Sequence, residues 1–165
     1  MPHSSLLPAR SVAARRVALL FAIAILGPAL AACTNKPSDK SLVFVSVAEG
    51  EKLAAGGGGL LGNSKGGVWV DARTKTDFDA GHIPGAISLP FEKVSTEFYT
   101  VKDYSVLIVY GSDYNDVRAN GMSKRLKELL DGGDIRTLDG GVRAWTAAGN
   151  QLEAAPGAAT KPAGS

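Results

Sequence analysis

Few residues of this chain could serve as a nucleophile or as a catalytic base. The chain has one cysteine, Cys33, and of its two histidines only His82 lies beyond the first 32 residues. A serine nucleophile needs a base to accept its proton, so Ser112 would depend on that histidine. With a single histidine, a histidine-based metal site or a Ser-His-Asp triad within one chain has little support. The chemistry of Cys33 therefore matters first.

Cys33 ends the segment Leu30-Ala31-Ala32-Cys33, which follows a stretch with the layout of a secretory signal. Arg10, Arg15 and Arg16 precede an uncharged and mostly apolar run, and small residues stand before the cysteine. The segment resembles the lipobox of bacterial lipoproteins. That resemblance implies that the thiol is diacylated, that Cys33 becomes the first residue of the mature protein, and that its sulfur is not free for catalysis.

An uncleaved membrane helix is the alternative interpretation of residues 17–32. This run is shorter than the roughly 20 residues that a helix needs to cross a bilayer core, and Pro28 lies inside it. A cut without lipidation would leave Cys33 as an odd thiol in an oxidising compartment. We therefore predict a signal peptide at residues 1–32 and a lipid anchor to a membrane of the bacterial cell envelope. Thr34, in place of an aspartate, resembles lipoproteins sent to an outer membrane facing the periplasm, where the organism has one.

The charge balance gives no reason to expect a nucleic-acid partner. The full chain has 18 basic and 16 acidic side chains, and loss of the three arginines in residues 1–32 leaves 15 basic side chains and a net charge of −1. Binding to nucleic acid depends largely on clustered basic residues, and no basic patch is visible. The partners predicted are a membrane, through the anchor, and another protein of the envelope.

Composition divides the chain after the signal into a folded unit between two polar ends. Residues 33–41 are predicted to be a flexible tether. Residues 154–165 lack apolar periodicity and are predicted to be a disordered tail. Residues 42–153 are long enough for one domain with a hydrophobic core.

Strand and helix patterns alternate within that unit. The segment Val106–Tyr110 is apolar on both faces, as a central parallel strand requires. Ser46 and Glu49 have the spacing of a capping box at the start of a helix. Strands are further predicted at residues 68–70 and 135–138, and helices at residues 46–55, 117–130 and 141–148. This alternation predicts an α/β domain with a mostly parallel sheet and helices on both faces.

Two separated motifs carry a resemblance to a known family. Asp71-Ala72-Arg73 followed by residues 78–87 is similar to the first signature of the rhodanese (sulfurtransferase) superfamily. Residues 138–145, with Ala148-Gly149 after them, are similar to its C-terminal signature. The order of the two motifs, with the Val106–Tyr110 strand between them, implies a rhodanese-like single domain.

The signature residues have structural interpretations that need no catalysis. A carboxylate and a guanidinium after a strand can hold loops, Pro-Gly favours a turn, and a glycine pair lets the chain turn tightly into a helix. The histidine is expected to hold the turn by a hydrogen bond, and the tryptophan to lie in the core. The residues so assigned are Asp71, Arg73, His82, Pro84, Gly85, Gly140, Gly141 and Trp145.

The segment after Val106–Tyr110 decides what the resemblance implies for activity. In active rhodaneses the corresponding strand ends in a cysteine, and backbone N–H groups of the next residues and of a helix N-terminus stabilise its thiolate. Here Gly111 stands in that place, so no persulfide can form on its side chain. The residues of this vestigial active-site loop are Gly111, Ser112, Asp113, Tyr114, Asn115, Asp116, Val117 and Arg118.

The acidic residues of the loop also argue against an anionic substrate. Asp113 and Asp116 oppose a substrate such as thiosulfate, with Arg118 as the only expected offset, and Asp116 is predicted to cap the following helix. Whether a cysteine at position 111 would be tolerated depends on the φ angle of Gly111, which the sequence leaves open.

The sequence thus favours a catalytically inactive rhodanese-like domain that serves as a lipid-anchored binding or scaffolding module. No catalytic residue, metal or cofactor is predicted. The alternatives are sulfur transfer by a non-standard or partner-supplied thiol and, more remotely, a hydrolase that uses Ser112. A Gly-x-Gly-x-x-Gly match at residues 57–62 follows a helix and precedes a strand, the reverse of a dinucleotide site, and is interpreted as a surface loop.

Overall fold

In the residues that the structure describes, the sheet has five strands, and all of them run parallel. The computed structural model describes residues 39–56 and 65–156, which belong to one compact unit, residues 35–165. The predicted signal peptide, Cys33, most of the tether, the glycine-rich loop at residues 57–62 and residues 157–165 of the predicted tail lie outside the described residues. The strand order is β1-β5-β4-β2-β3. The strands are β1 (Phe44–Val45), β2 (Lys65–Asp71), β3 (Ile87–Ser88), β4 (Tyr104–Tyr110) and β5 (Asp134–Leu138).

Both faces of the sheet are covered, which explains the apolar character of its central strands. Val68, Val70, Leu107 and Val109 lie in one core with apolar side chains of residues 117–129 and of the segment before β4, whereas Trp69 and Ile108 lie in a second core on the other face. This alternation is the period of two that a strand imposes. The predicted α/β fold with helices on both faces is therefore confirmed, and the sheet is wholly parallel instead of mostly parallel.

Helix starts follow the capping patterns in the sequence. The helices are α1 (Val47–Ala55), α2 (Lys75–Ala80), α3 (Val94–Glu97), α4 (Val117–Leu129) and α5 (Gly141–Ala147), with short 3-10 turns at Asp39–Ser41, Phe91–Lys93 and Phe98–Thr100. The capping box at α1 is confirmed, because the Ser46 side chain accepts from the Glu49 N–H and the Glu49 carboxylate accepts from the Ser46 N–H. None of the described helices has the length and apolarity to span a bilayer.

Both ends of the folded unit continue beyond the predicted boundaries. Residues 39–41, assigned to the tether, form a 3-10 turn beside α4, where Lys124 Nζ lies 2.7 Å from the Asp39 carboxylate. At the other end, the Ala155 N–H donates to the Asp79 carbonyl at 3.0 Å, inside the segment assigned to the tail. Backbone and side-chain hydrogen bonds that sequence patterns do not reveal hold these polar ends in place.

Candidate functional site

The loop from Gly111 to Asp116 joins the carboxyl end of β4 to the start of α4. In the sheet, β3 lies on one side of β2 and β4 lies on the other. The connections after β2 and after β4 therefore run in opposite directions, and the strand order reverses between these two strands. In open parallel sheets, ligands bind outside the carboxyl ends of strands at such a reversal. The loop therefore lies where the fold favours a binding site.

The Asp116 carboxylate occupies the inside of this loop. One of its oxygens accepts the Ser112 N–H at 2.8 Å, and the other accepts the N–H groups of Arg118 at 2.9 Å and Ala119 at 3.1 Å. Asp116 is thus the N-cap of α4, as the sequence predicted. Backbone donors that converge at a helix N-terminus favour an anion, and here that anion is a side chain of the protein itself.

Gly111 is buried, and Asp116 fills the space beside it. A Cβ atom added to Gly111 would lie 2.3 Å from Asp116 Cγ and 2.5 Å from one of its carboxylate oxygens. The φ angle of Gly111 lies outside the left-handed region, so the backbone there would accept another residue. The obstacle to a side chain at position 111 is therefore the Asp116 carboxylate, and the question left open by the sequence is answered.

Asp113 is offset by a different cation from the one expected. Its carboxylate lies 3.0 Å from Arg143 Nη1 of α5, whereas Arg118 approaches Glu92 at 3.7 Å. The prediction that Arg118 alone offsets the loop acids is wrong, because α5 folds back over the loop. The hydrogen bond from the Tyr114 N–H, followed by the one from Arg143, lowers the pKa of Asp113.

The start of α5 also holds the loop through its backbone. The Val142 N–H donates to the Gly111 carbonyl at 3.0 Å, and the Arg143 N–H donates to the Ser112 carbonyl at 3.1 Å. Gly141 has a φ of 52° and stands so close that a Cβ atom there would lie 2.3 Å from the Gly111 carbonyl oxygen. The tight turn predicted for Gly140-Gly141 is thus present, and it brings the two helix starts together around the loop.

A second polar cluster lies at the carboxyl end of β2, next to the loop. Asp71 is fully buried, and the Arg73 guanidinium donates to both of its oxygens, with Nη2 at 2.6 Å. The same Nη2 donates to the Gly81 carbonyl at 2.7 Å. Burial lowers the pKa of Arg73, but the hydrogen bonds and charge of Asp71 outweigh burial and leave it raised. The cluster ties β2 to the turn after α2.

Tyr110 belongs to this cluster, although the sequence analysis did not single it out. Its hydroxyl accepts the Ile83 N–H at 3.2 Å, and its ring centroid lies 5.7 Å from the Arg73 guanidinium carbon. Burial, followed by the charge of Asp71, raises the pKa of Tyr110 above its ordinary range. The indication available in the sequence was a tyrosine at the end of the otherwise aliphatic run at residues 106–110.

The remaining signature residues lie in the turn after α2 and in the second core. His82 donates from ring Nδ1 to the Phe78 carbonyl at 2.8 Å and stacks on the Phe78 ring. Pro84 and Gly85 occupy the middle of a turn closed by the Ala86 N–H and the Ile83 carbonyl at 3.0 Å, with Gly85 at a φ of 73°. Trp145 is 7% exposed, and its indole N–H donates to the Gln151 carbonyl at 2.9 Å.

The loop offers little for nucleophilic or metal chemistry within the part of the chain that the structure describes. Ser112 is exposed, and its backbone N–H is bound to Asp116, while His82 is held in the α2 turn. No cluster of three or more His, Cys, Asp or Glu side chains in residues 39–56 and 65–156 could hold a metal ion. The loop instead folds around the Asp116 carboxylate, which accepts its backbone N–H groups.

Comparison with known proteins identifies the family of the domain. The family described as "Rhodanese-like domain" matches residues 59–148, more than half of the chain. No curated protein matches the chain.

Several solved structures share the fold. A rhodanese-related protein from Thermoplasma volcanium is 18% identical with a TM-score of 0.52, over 67% of this chain and 97% of that one. A protein from Bacillus halodurans is 24% identical with a TM-score of 0.54, over 70% and 79%. A thiosulfate sulfurtransferase from Pseudomonas aeruginosa is 22% identical with a TM-score of 0.54, over 69% of this chain but only 20% of that protein.

Proposed function

The chain belongs to the rhodanese-like domain family, and from that premise we propose that it is a catalytically inactive member. We propose further that it is anchored by lipid on Cys33 in the bacterial cell envelope, on the outer membrane where one is present. There it serves as a binding or scaffolding module for another envelope protein.

The observation that carries the proposed inactivity is the position of the Asp116 carboxylate. It lies in the space where a side chain at position 111 would stand and accepts three backbone N–H groups of the loop and α4. A sulfurtransferase needs those donors for the thiolate and for the anionic sulfur substrate. In this chain the position offers no thiol, and the donors already have an acceptor.

The location of the chain's single cysteine also supports the proposed inactivity. Cys33 is the only cysteine of the chain, and it lies in the lipobox-like segment. Its acylation would leave no free thiol on the mature protein. We therefore assign to the domain a binding role that needs no thiol of its own.

A sulfur-transfer assay tests the proposed inactivity. The full-length Cys33→Ala variant, which has no cysteine, should turn over thiosulfate and cyanide no faster than a blank without protein, whereas an active sulfurtransferase serves as positive control. Robust turnover by the variant would contradict the proposal. Turnover that appears only when a membrane extract is added would support a thiol supplied by a partner protein instead.

Membrane fractionation and mass spectrometry test the anchor. The wild-type protein should sediment with membranes, and its N-terminal peptide should begin at Cys33 and carry acyl mass. Each acyl methylene contributes about 0.8 kcal/mol of membrane binding, so the two chains of a diacylated thiol would hold the protein firmly. The Cys33→Ala variant should lose the acyl mass and the processing. A soluble wild-type protein without acyl mass would show that the anchor is wrong.

A cross-linked pull-down from the protein's own membranes tests the binding role. The anchored wild-type protein should recover the same envelope protein in repeated experiments. The Cys33→Ala variant has the same folded unit without the lipid, so it is the matched control for contacts that do not depend on lipidation. Failure of the anchored protein to recover any partner beyond those of the control would contradict a scaffolding role.

A further inference from the structure

A shallow hollow with exposed apolar side chains lies beside α4 and the edge strand β1. It has a volume of about 420 Å³, and we call the surface around it the anchor-side patch. Val117 is 82% exposed and Phe44 is 45% exposed, so two apolar side chains that line the same hollow are open to contact from outside the domain. The patch is lined by Asp39, Leu42, Phe44, Asn115, Val117, Asn120 and Lys124.

The chain that leads to Cys33 leaves the domain at this patch. Asp39 is held on α4 by Lys124 at 2.7 Å, and the Leu42 N–H donates to the Asp39 carbonyl at 3.2 Å. These contacts fix the exit point of the tether on the patch itself. Residues 34–38 are all that separates Asp39 from Cys33.

The length of this connection limits how the domain can stand on a membrane. Six residue steps span at most about 20 Å even when the chain is fully extended. A domain of this size has a radius of gyration of about 13 Å, and hence a diameter larger than that span. The surface around Asp39 consequently cannot turn to the side of the domain that is far from the bilayer.

From these observations we propose that the anchor-side patch rests on the phospholipid bilayer in which Cys33 is anchored, with Phe44 and Val117 at the lipid interface. The proposal rests on the lipid anchor of the proposed function. The bilayer is the occupant that the short tether brings to this surface in every anchored copy.

One consequence concerns the loop that contains Asp116. Asn115 and Val117 belong both to the loop region and to the patch, so the loop lies beside the membrane surface when the patch rests on it. A protein partner then binds the domain either on a surface away from the patch or at the loop, next to the lipid headgroups.

Site-specific labelling tests the proposal in the anchored protein. Because the thiol of Cys33 is acylated, Val117→Cys provides the only free thiol, and a polarity-sensitive fluorophore can be attached there. Tyr99→Cys is the matched control, since Tyr99 is 58% exposed and precedes β4 at the end opposite the loop. Both labelled proteins are reconstituted in phospholipid vesicles that contain zwitterionic and anionic lipids, at less than one copy per vesicle.

The expected result is a blue shift of the label at position 117 and a several-fold weaker quenching by aqueous iodide, with the label at position 99 unchanged. If the protein floats with the vesicles but both labels are quenched equally, the bilayer contact is wrong and the lipid anchor stands. If the protein does not float, both are wrong. If protection of position 117 requires more than one copy per vesicle, a second copy covers the patch and the proposal is overturned.

Discussion

Two carboxylates lie near the carboxyl ends of neighbouring parallel strands, and the protein satisfies them in different ways. Asp71 ends β2, is fully buried, and is paired with the Arg73 guanidinium. Asp116 follows β4, is half-buried, and accepts three backbone N–H groups. The register of the two strands places Asp71 opposite Tyr110, one residue before the loop that contains Asp116.

The difference explains why one site is structural and the other could change its chemistry. A buried charge must keep its partner, because removing one member leaves the other unpaired in a medium of low polarity. A half-buried carboxylate at a helix start is easier to replace, since water can reach the N–H groups that it leaves. The Asp71 cluster therefore supports the fold, whereas replacement of Asp116 in the loop is expected to cost less stability.

The largest expected effect comes from breaking the buried pair. Arg73→Leu should lower the free energy of unfolding by about 3–5 kcal/mol, because Asp71 and the Gly81 carbonyl lose their donor. Urea unfolding measures the change. Arg118→Leu is the matched control, since Arg118 is half exposed and forms only a long ion pair with Glu92. If Arg73→Leu and Arg118→Leu lowered the free energy of unfolding equally, the Asp71–Arg73 pair would not be the structural element that we propose.

The second effect tests whether Asp116 alone excludes a side chain from position 111. In the Cys33→Ala background, Gly111→Cys should cost about 1–3 kcal/mol, because the new side chain and the Asp116 carboxylate compete for one space. Adding Asp116→Gly should relieve most of that cost. The freed N–H groups of Ser112, Arg118 and Ala119 should then lower the pKa of the new thiol. The pH dependence of iodoacetamide alkylation and the sulfur-transfer assay measure this outcome.

Its control separates steric from electrostatic effects. Gly111→Cys with Asp113→Gly removes a negative charge from the loop but leaves the Asp116 carboxylate in place, so it should remain strained and unreactive. If the double variant with Asp113→Gly gains as much stability and thiol reactivity as the double variant with Asp116→Gly, then negative charge, and not lack of space, excludes the cysteine.

A smaller effect is expected from the cap of α4 itself. Asp116→Ala should cost about 1 kcal/mol, because the first N–H groups of α4 lose their acceptor, whereas Asp116→Gly should cost only a few tenths of a kcal/mol. Thermal unfolding of both variants shows which of the two substitutions costs more stability. A cost of Asp116→Ala as large as that of Arg73→Leu would show that the loop carboxylate is as structural as Asp71.

The sequence predicted the long elements of the fold and missed the short ones, for physical reasons. The apolar run of β4 and the capping residues of α1 and α4 are local signals, and the structure confirms them. The strands β1 and β3 have two residues each and exist through pairing with β5 and β2, which no local pattern records. The helix α2 begins at a Thr74 cap that was available in the sequence but was not recognised.

The candidate site was predictable in its composition but not in its contacts. The sequence indicated the residues of the loop and the capping role of Asp116. It could not show that the same carboxylate fills the space beside Gly111, because that depends on how the loop folds back. The partner of Asp113 was assigned wrongly for the same reason, since Arg143 lies 30 residues away along the chain.

The smallest expected effect concerns the Asp113–Arg143 contact. The pKa of Asp113 is lowered in the folded state from a reference value of 3.8, so its ionised form favours folding above that value. The contribution should be lost as the pH falls through the lowered folded pKa. Asp113→Asn should therefore unfold at a slightly lower temperature than the wild type at neutral pH, and the two midpoints should converge in acid. Because the pair is exposed, added salt should also reduce the difference. A difference that persists in acid would show that Asp113 stabilises the loop through its neutral form.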